Sequence, residues 1–131
     1  MGEEKKKRVM VVDDDPSLVK VMRIYLERSG FEVHVATDGQ MALELLDRVR
    51  PHLMVLDIRL PKIDGLKVCR LIRVDRGNKR LPIIVLTAHH SQERKRQIMA
   101  AGANLYLTKP LDMSKLVKHT KELISASEGP K

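Results

Sequence analysis

Aromatic side chains are nearly missing from this chain. Tyr25, Phe31 and Tyr106 are the whole set among 131 residues, and there is no tryptophan. Any core must therefore be aliphatic, and no aromatic platform is available for stacking nucleic-acid bases. Cysteine occurs once, at Cys69, so an internal disulfide is excluded and a reducing, cytoplasmic compartment is the expectation. No apolar run approaches the roughly eighteen residues of a membrane span, so membrane insertion is not expected. The opening "MGEEKKKR" carries no apolar stretch of the signal-peptide kind.

Aliphatic residues are plentiful and dispersed, and the length suits one domain with a single core. The net charge of +8 is uneven. Residues 1–65 hold 11 Lys/Arg and 12 Asp/Glu, and residues 66–131 hold 14 and 5. The basic C-terminal half reads first as a solvated surface, ahead of a site for an acidic partner or nucleic acid.

Five short apolar runs punctuate the chain: "VMVV" (9–12), "VHVA" (33–36), "LMVL" (53–56), "IIVL" (83–86) and "LYL" (105–107). Four of them lack polar alternation, which suits strands buried on both faces of a parallel sheet. Helical patterns lie between them. Asp15 is placed to cap a first helix with Pro16 at its first position, and Gly30 to close it. A second helix starts near Asp38, carries Ala42, Leu45, Leu46 and Val49 on one face, and must stop before Pro51. A third runs from Gly65 to about residues 75–77, a fourth from Ser91 to Ala101 before Gly102, and a fifth from Asp112. Asp64-Gly65 reads as turn chemistry. Strand–helix alternation repeated five times predicts a flavodoxin-like, doubly wound α/β domain, with sheet order 2-1-3-4-5 and helices on both faces. Residues 1–7 read as a flexible basic tail, 8–124 as the domain and 125–131 as a second flexible tail.

In such sheets ligands bind outside the carboxyl ends of the strands. Here those ends carry Asp13, Asp14 and Asp15 after strand 1, Asp57 on strand 3, Thr87 on strand 4, and Lys109 with Pro110 after strand 5. Unit charges about 4 Å apart interact by roughly 4 kcal/mol at an effective dielectric near 20, so crowded carboxylates call for a hard cation. Mg²⁺ prefers such oxygen donors together with phosphate, and a carboxylate is itself a nucleophile able to form an aspartyl-phosphate. Lys109 and Thr87 are donors of the type that hold phosphoryl oxygens.

The fragments "VMVVDDDPSL" (9–18), "LMVLDIRLPKIDG" (53–65), "IIVLTA" (83–88) and "YLTKPL" (106–111), in that order, resemble the receiver domain of two-component response regulators. The resemblance covers residues 8 to about 124 and is closest in plan to single-domain chemotaxis regulators. It implies that Asp57 accepts a phosphoryl group from a sensor histidine kinase or phosphotransfer protein. Asp13, Asp14, Asp57 and the main-chain carbonyl of Arg59 would ligate Mg²⁺, with Mn²⁺ able to substitute. Thr87 and Lys109 would engage the phosphoryl oxygens, Tyr106 would be the aromatic switch, and the Lys109–Pro110 bond would be cis. The fourth helix, fifth strand and fifth helix would form the face that meets a downstream target.

Two residues depart from fast-resetting members of that family. Arg59 and His89 stand two positions beyond Asp57 and Thr87, and neither is an acid or amide that would orient water, so a long-lived phosphoryl group is expected. Arg59 also argues against an aspartate-nucleophile phosphatase, which needs a second acid there. "DDDPS" lacks the glycines of a nucleotide loop. The expectation is therefore a signalling switch rather than a turnover enzyme, acting as a monomer or a phosphorylation-dependent dimer. It would be a stand-alone regulator or an excised receiver; a degenerate, contact-only receiver is disfavoured by the complete site. No DNA-reading helix follows residue 124, so direct nucleic-acid binding is not expected. His34, His52, His89, His90 and His119 share no metal-ligand spacing, and Cys69 reads as a small core residue.

Overall fold

The computed structural model describes residues 5–128. Strands β1 (Arg8–Val12), β2 (Glu32–Ala36), β3 (Leu53–Asp57), β4 (Ile83–Thr87) and β5 (Leu105–Thr108) alternate with helices α1 (Pro16–Arg28), α2 (Gly39–Val49), α3 (Gly65–Arg70), α4 (Gln92–Ala100) and α5 (Met113–Glu128). All strand pairs are parallel, and the sheet order is β2-β1-β3-β4-β5. This is the doubly wound, flavodoxin-like arrangement that the strand–helix alternation predicts.

The period-two geometry of strands divides each continuous apolar run between two cores. Val9 and Val11 of β1 join Val55, Ile84 and Leu86 on the α1/α5 side, where Met22, Leu26, Leu116 and Ile124 cover them. Met10 and Val12 join Met54, Leu56, Ile83 and Val85 on the side covered by α2, α3 and α4. Cys69 belongs to the second core, and burial pushes its thiol pKa up.

Side-chain caps set the helix starts. Asp15 accepts from Ser17 N and Leu18 N, Asp38 from Met41 N, and Ser91 from Arg94 N. Asp112 accepts from Ser114 N and Lys115 N at 2.9 and 3.2 Å. Three details differ from the sequence-based expectation. After Arg70 the third helix widens into a π-turn over Leu71–Asp75, where Arg76 N donates to Leu71 O at 3.0 Å. Helix α5 runs to Glu128, so residues 125–128 are helical rather than tail, and Glu128 pairs with Lys7 at 3.1 Å. Lys7 is itself tied to the sheet by a bond from Glu32 N to its carbonyl at 2.9 Å. The rest of the two expected tails, residues 1–4 and 129–131, lies outside the described residues.

Candidate functional site

Main-chain bonds prolong the ladder beyond the strands and hold the site's residues in register. Asp13 N donates to Ala36 O at 3.1 Å, Ile58 N to Leu86 O at 3.1 Å, and Lys109 N to Thr87 O at 2.8 Å. Asp13, Asp57 and Thr87 consequently emerge side by side with 0, 5 and 2% exposure. Asp14, Ala88 and His89 lie outside them in solvent.

The acidic cluster forms as expected. Asp13, Asp14 and Asp57 each present a carboxylate oxygen, and these atoms lie within 4.8 Å of one another. It is the one such group of metal-ligating side chains among the described residues. Lys109 Nζ lies 2.8 Å from Asp57 Oδ2 and 3.8 Å from Asp13 Oδ2. Asp57 Oδ1 accepts from Arg59 N at 3.1 Å, and Asp13 Oδ1 accepts from Asp15 N at 2.9 Å. Asp13 Oδ2 is buried and receives no hydrogen bond among the described residues. A buried carboxylate oxygen left without a donor is costly, and a hard cation is the partner that would complete it.

The titration behaviour follows from this crowding. Burial, reinforced by the charges of Asp57 and Asp14, raises the Asp13 pKa from 3.8 to about 6, against the opposing Asp15 N–H and Lys109. Burial alone would lower the Lys109 pKa. Its hydrogen bond to Asp57 and the charges of Asp13 and Asp57 outweigh that and hold it above the ordinary lysine value.

Around the cluster, the Thr87 hydroxyl is engaged with the His89 backbone. Its Oγ1 donates to His89 O at 3.2 Å and accepts from His89 N at 3.1 Å. Tyr106 is half-buried against the α2/α3/α4 core, and its hydroxyl meets His90 Nδ1 at 3.2 Å. Arg59 Nη2 approaches His89 Nε2 at 3.5 Å. His89 and His90 are both exposed, and each ring has a separate neighbour, in keeping with the lack of a shared metal spacing. The Lys109–Pro110 bond is cis. Asp15 sits outside the cluster as the α1 cap, as its place before Pro16 implies.

Sequence reasoning undervalued Asp64-Gly65. Asp64 caps α3, and a Cβ on Gly65 would collide with the carbonyl of Asp57 and with Ile58 Cα. Gly65 N also donates to Ile58 O at 2.8 Å. Glycine thus lets the start of α3 press against the strand end that carries Asp57. The sequence shows only a turn dipeptide, because the approach is between segments separated by a loop.

No described helix is long and apolar enough to cross a membrane. The family described as "Response regulator receiver domain" matches residues 9–121. The alkaline phosphatase synthesis transcriptional regulatory protein PhoP of Bacillus subtilis is 38% identical over 122 residues, covering 93% of this chain and 50% of that protein. The solved Francisella response regulator 1452 receiver domain superposes with a TM-score of 0.85 at 30% identity, covering 91% of this chain and 97% of that one. The chemotaxis response regulator CheY4 of Vibrio cholerae gives 0.84 at 29% identity, covering 91% and 99%. The chain spans about half the length of the curated relatives it matches. With the match running through both strand ends of the acidic cluster and through Lys109, the chain belongs to the response regulator receiver domain family.

Proposed function

We propose that Asp57 is the phosphoacceptor of this receiver, loaded by a sensor histidine kinase or phosphotransfer protein. The observation that carries the reading is the placement of the Asp57 carboxylate. It is nearly buried, bonded to Lys109 Nζ at 2.8 Å, and gathered with Asp13 and Asp14 around an Asp13 oxygen that has no hydrogen bond among the described residues. Asp13, Asp14, Asp57 and the main-chain carbonyl of Arg59 would hold Mg²⁺, or Mn²⁺ in its place. The ion supplies charge neutralisation for the carboxylates and the incoming phosphoryl oxygens.

An Asp57 oxygen attacks phosphorus, the P–N bond of the donor phosphohistidine breaks as the new P–O bond forms, and the imidazole nitrogen keeps the bonding pair and takes up a proton. Lys109, already against Asp57, stays as counter-charge to the new dianion. Thr87 must release the His89 carbonyl to turn its hydroxyl onto a phosphoryl oxygen. That movement reshapes the loop that carries His90 and so reaches Tyr106. The α4–β5–α5 face then shifts population between two states and meets a downstream protein. Exposed Lys95, Arg96, Lys115, Lys118 and Lys121 on that face suit an acidic target.

Hydrolysis resets the switch: a water oxygen attacks phosphorus, the bond to Asp57 breaks, and phosphate leaves. Arg59 and His89 stand at the mouth of the site without an acid or amide to orient that water, which favours slow reset. Catalysis is limited to the domain's own phosphoryl group, in a cytoplasmic setting. Intact-mass measurement after acetyl phosphate and Mg²⁺ tests the assignment. One phosphoryl adduct is expected, absent without metal and absent in Asp57→Asn; an adduct that survives that substitution overturns it. A decay half-life of only seconds would refute the slow reset.

A further inference from the structure

A second feature borders the acidic site, with which it shares Asp14 and Arg59. A groove of about 680 Å³ runs between the segment after β3, the first turns of α3, and α4. Its floor is aliphatic: Ile58, Leu60 and Leu66. Its walls bring together Arg59, Arg70 and Arg94 from three different elements. Among the described residues none of these guanidiniums lies within ion-pair distance of a carboxylate, although Arg96, two positions from Arg94, pairs with Glu93 at 2.9 Å, and Arg76 with Asp47 at 2.6 Å. Among the described residues, the Arg94 guanidinium bonds only Gln97 Oε1, at 3.2 Å, and that of Arg59 only His89. The two carboxylates that border the groove are otherwise engaged. Asp64 Oδ1 accepts from Lys67 N at 3.0 Å, and Asp14 belongs to the acidic cluster.

We infer that this groove is a docking site for an acidic peptide segment of a partner protein, its carboxylates meeting Arg59, Arg70 and Arg94 and its aliphatic side chains meeting Ile58, Leu60 and Leu66. Convergent arginines favour carboxylates, which they bind through two parallel N–H donors. The aliphatic floor and the absence of any aromatic lining favour peptide over nucleotide, because bases need a stacking surface. Asp14 and Asp64 in the same lining disfavour a polyphosphate, whose charge is denser than that of a peptide's spaced carboxylates. The groove takes Arg94 and Gln97 from α4 and no residue from β5 or α5.

The test uses the metal-free ¹⁵N-labelled protein and a fluorescein-labelled peptide of alternating glutamate and leucine, with the glutamine-for-glutamate peptide as comparison. Expected are amide shifts at Arg59, Leu66, Arg70, Arg94 and Gln97, and affinity for the acidic peptide about tenfold above the neutral one, falling with salt. Arg70→Gln and Arg94→Gln together are expected to weaken binding about tenfold, and Arg28→Gln with Arg48→Gln, exposed on α1 and α2 and outside the groove, to leave it unchanged. The amide spectrum of each variant verifies its fold, and Arg94→Gln alone gives a milder second reading. Equal affinity for the two peptides, shifts confined to α5, insensitivity to the arginine substitutions, or stronger binding of inorganic triphosphate in the same groove would each overturn the inference. The acetyl phosphate assay on the unaltered protein is separate: a missing adduct there sinks the phosphoacceptor reading and leaves the peptide result standing.

Discussion

At the carboxyl end of the sheet, Asp13 buries a carboxylate oxygen that receives no hydrogen bond among the described residues; at the opposite end, Arg73 donates from all three of its guanidinium nitrogens. Arg73 Nε donates to Gly102 O at 2.8 Å, Nη1 to Asn78 O at 3.1 Å, and Nη2 to Asn104 Oδ1 at 2.9 Å. Asn104 Oδ1 also accepts from Ile83 N at 2.9 Å, so the clamp ties the end of the third helix to the start of β4 and to the turn before β5. Gly102, at φ 105°, leaves room for it, since a Cβ there would lie 2.6 Å from Arg73 Cγ. One end of the domain leaves a buried charge without a hydrogen bond; the other bonds its guanidinium to three acceptors.

The contrast breaks most strongly at Arg73. Arg73→Ala removes three hydrogen bonds and strands part-buried acceptors, so urea unfolding is expected to show a loss of about 2–4 kcal/mol. Acetyl phosphate labelling of the folded fraction should persist, because the clamp touches no residue of the acidic cluster. Loss of labelling in protein that remains folded would show that the two ends are not separable.

Stability against pH gives the next largest effect, with opposite signs at the two ends. Asp13 has a folded pKa of about 6 against an ordinary 3.8, so the native state binds more protons than the unfolded chain between those values. Metal-free protein should therefore lose stability at this site as pH rises through 4 to 6, by an order of 3 kcal/mol at most. At the far end, burial, reinforced by the charges of Arg8 and Lys7, lowers the His52 pKa from 6.5, and His52 Nδ1 accepts from Arg8 N at 2.9 Å. For His52 the unfolded chain binds more protons, so stability falls as pH drops below 6.5. Asp13→Asn is expected to stabilise the metal-free domain at pH 7 by about 1–3 kcal/mol while abolishing metal-dependent phosphorylation. Mg²⁺ at about a hundred times its dissociation constant should raise unaltered protein by about 2.7 kcal/mol and leave Asp13→Asn nearly unchanged. Denaturant titrations at several pH values read all of these.

The two ends also differ in how far the sequence reveals them. Strand ends are local: "VVDDDP" and "LMVLD" declare where an apolar run stops in carboxylates, and ordered on a parallel sheet they place Asp13, Asp14 and Asp57 together. The caps at Asp15, Asp38 and Ser91 are similarly local, since each acts within three residues. The Arg73 clamp depends on partners up to 31 residues away, and an arginine in a basic run carries no mark of such bonds. The π-turn that carries Arg73 likewise has no periodic signature, and "SASE" lacks the apolar repeat that would reveal the last turn of α5. The closeness of Gly65 to Asp57, and the meetings of His90 with Tyr106 and Arg59 with His89, arise only once separate loops converge on the same edge.

Within the acidic end, a finer boundary falls between Asp14 and Asp15, and it gives the smallest effect. Asp15 accepts from Ser17 N and Leu18 N at 3.0 and 3.3 Å, while its own N–H donates to Asp13 Oδ1. Asparagine caps a helix about as well as aspartate, so Asp15→Asn should change stability by only a few tenths of a kcal/mol, and Asp15→Ala should cost about 1. Neither should change the metal requirement of phosphorylation, because the bond to Asp13 comes from the Asp15 backbone, which both substitutions keep. Asp14→Asn should do the reverse: nearly neutral in a melt, yet strongly weakening the dependence of labelling on Mg²⁺ concentration. Three consecutive carboxylates would then separate by chemistry as they do by position. If Asp15→Ala instead weakened the response to Mg²⁺ as much as Asp14→Asn, the boundary between site and scaffold would lie one residue later, inside the first turn of α1.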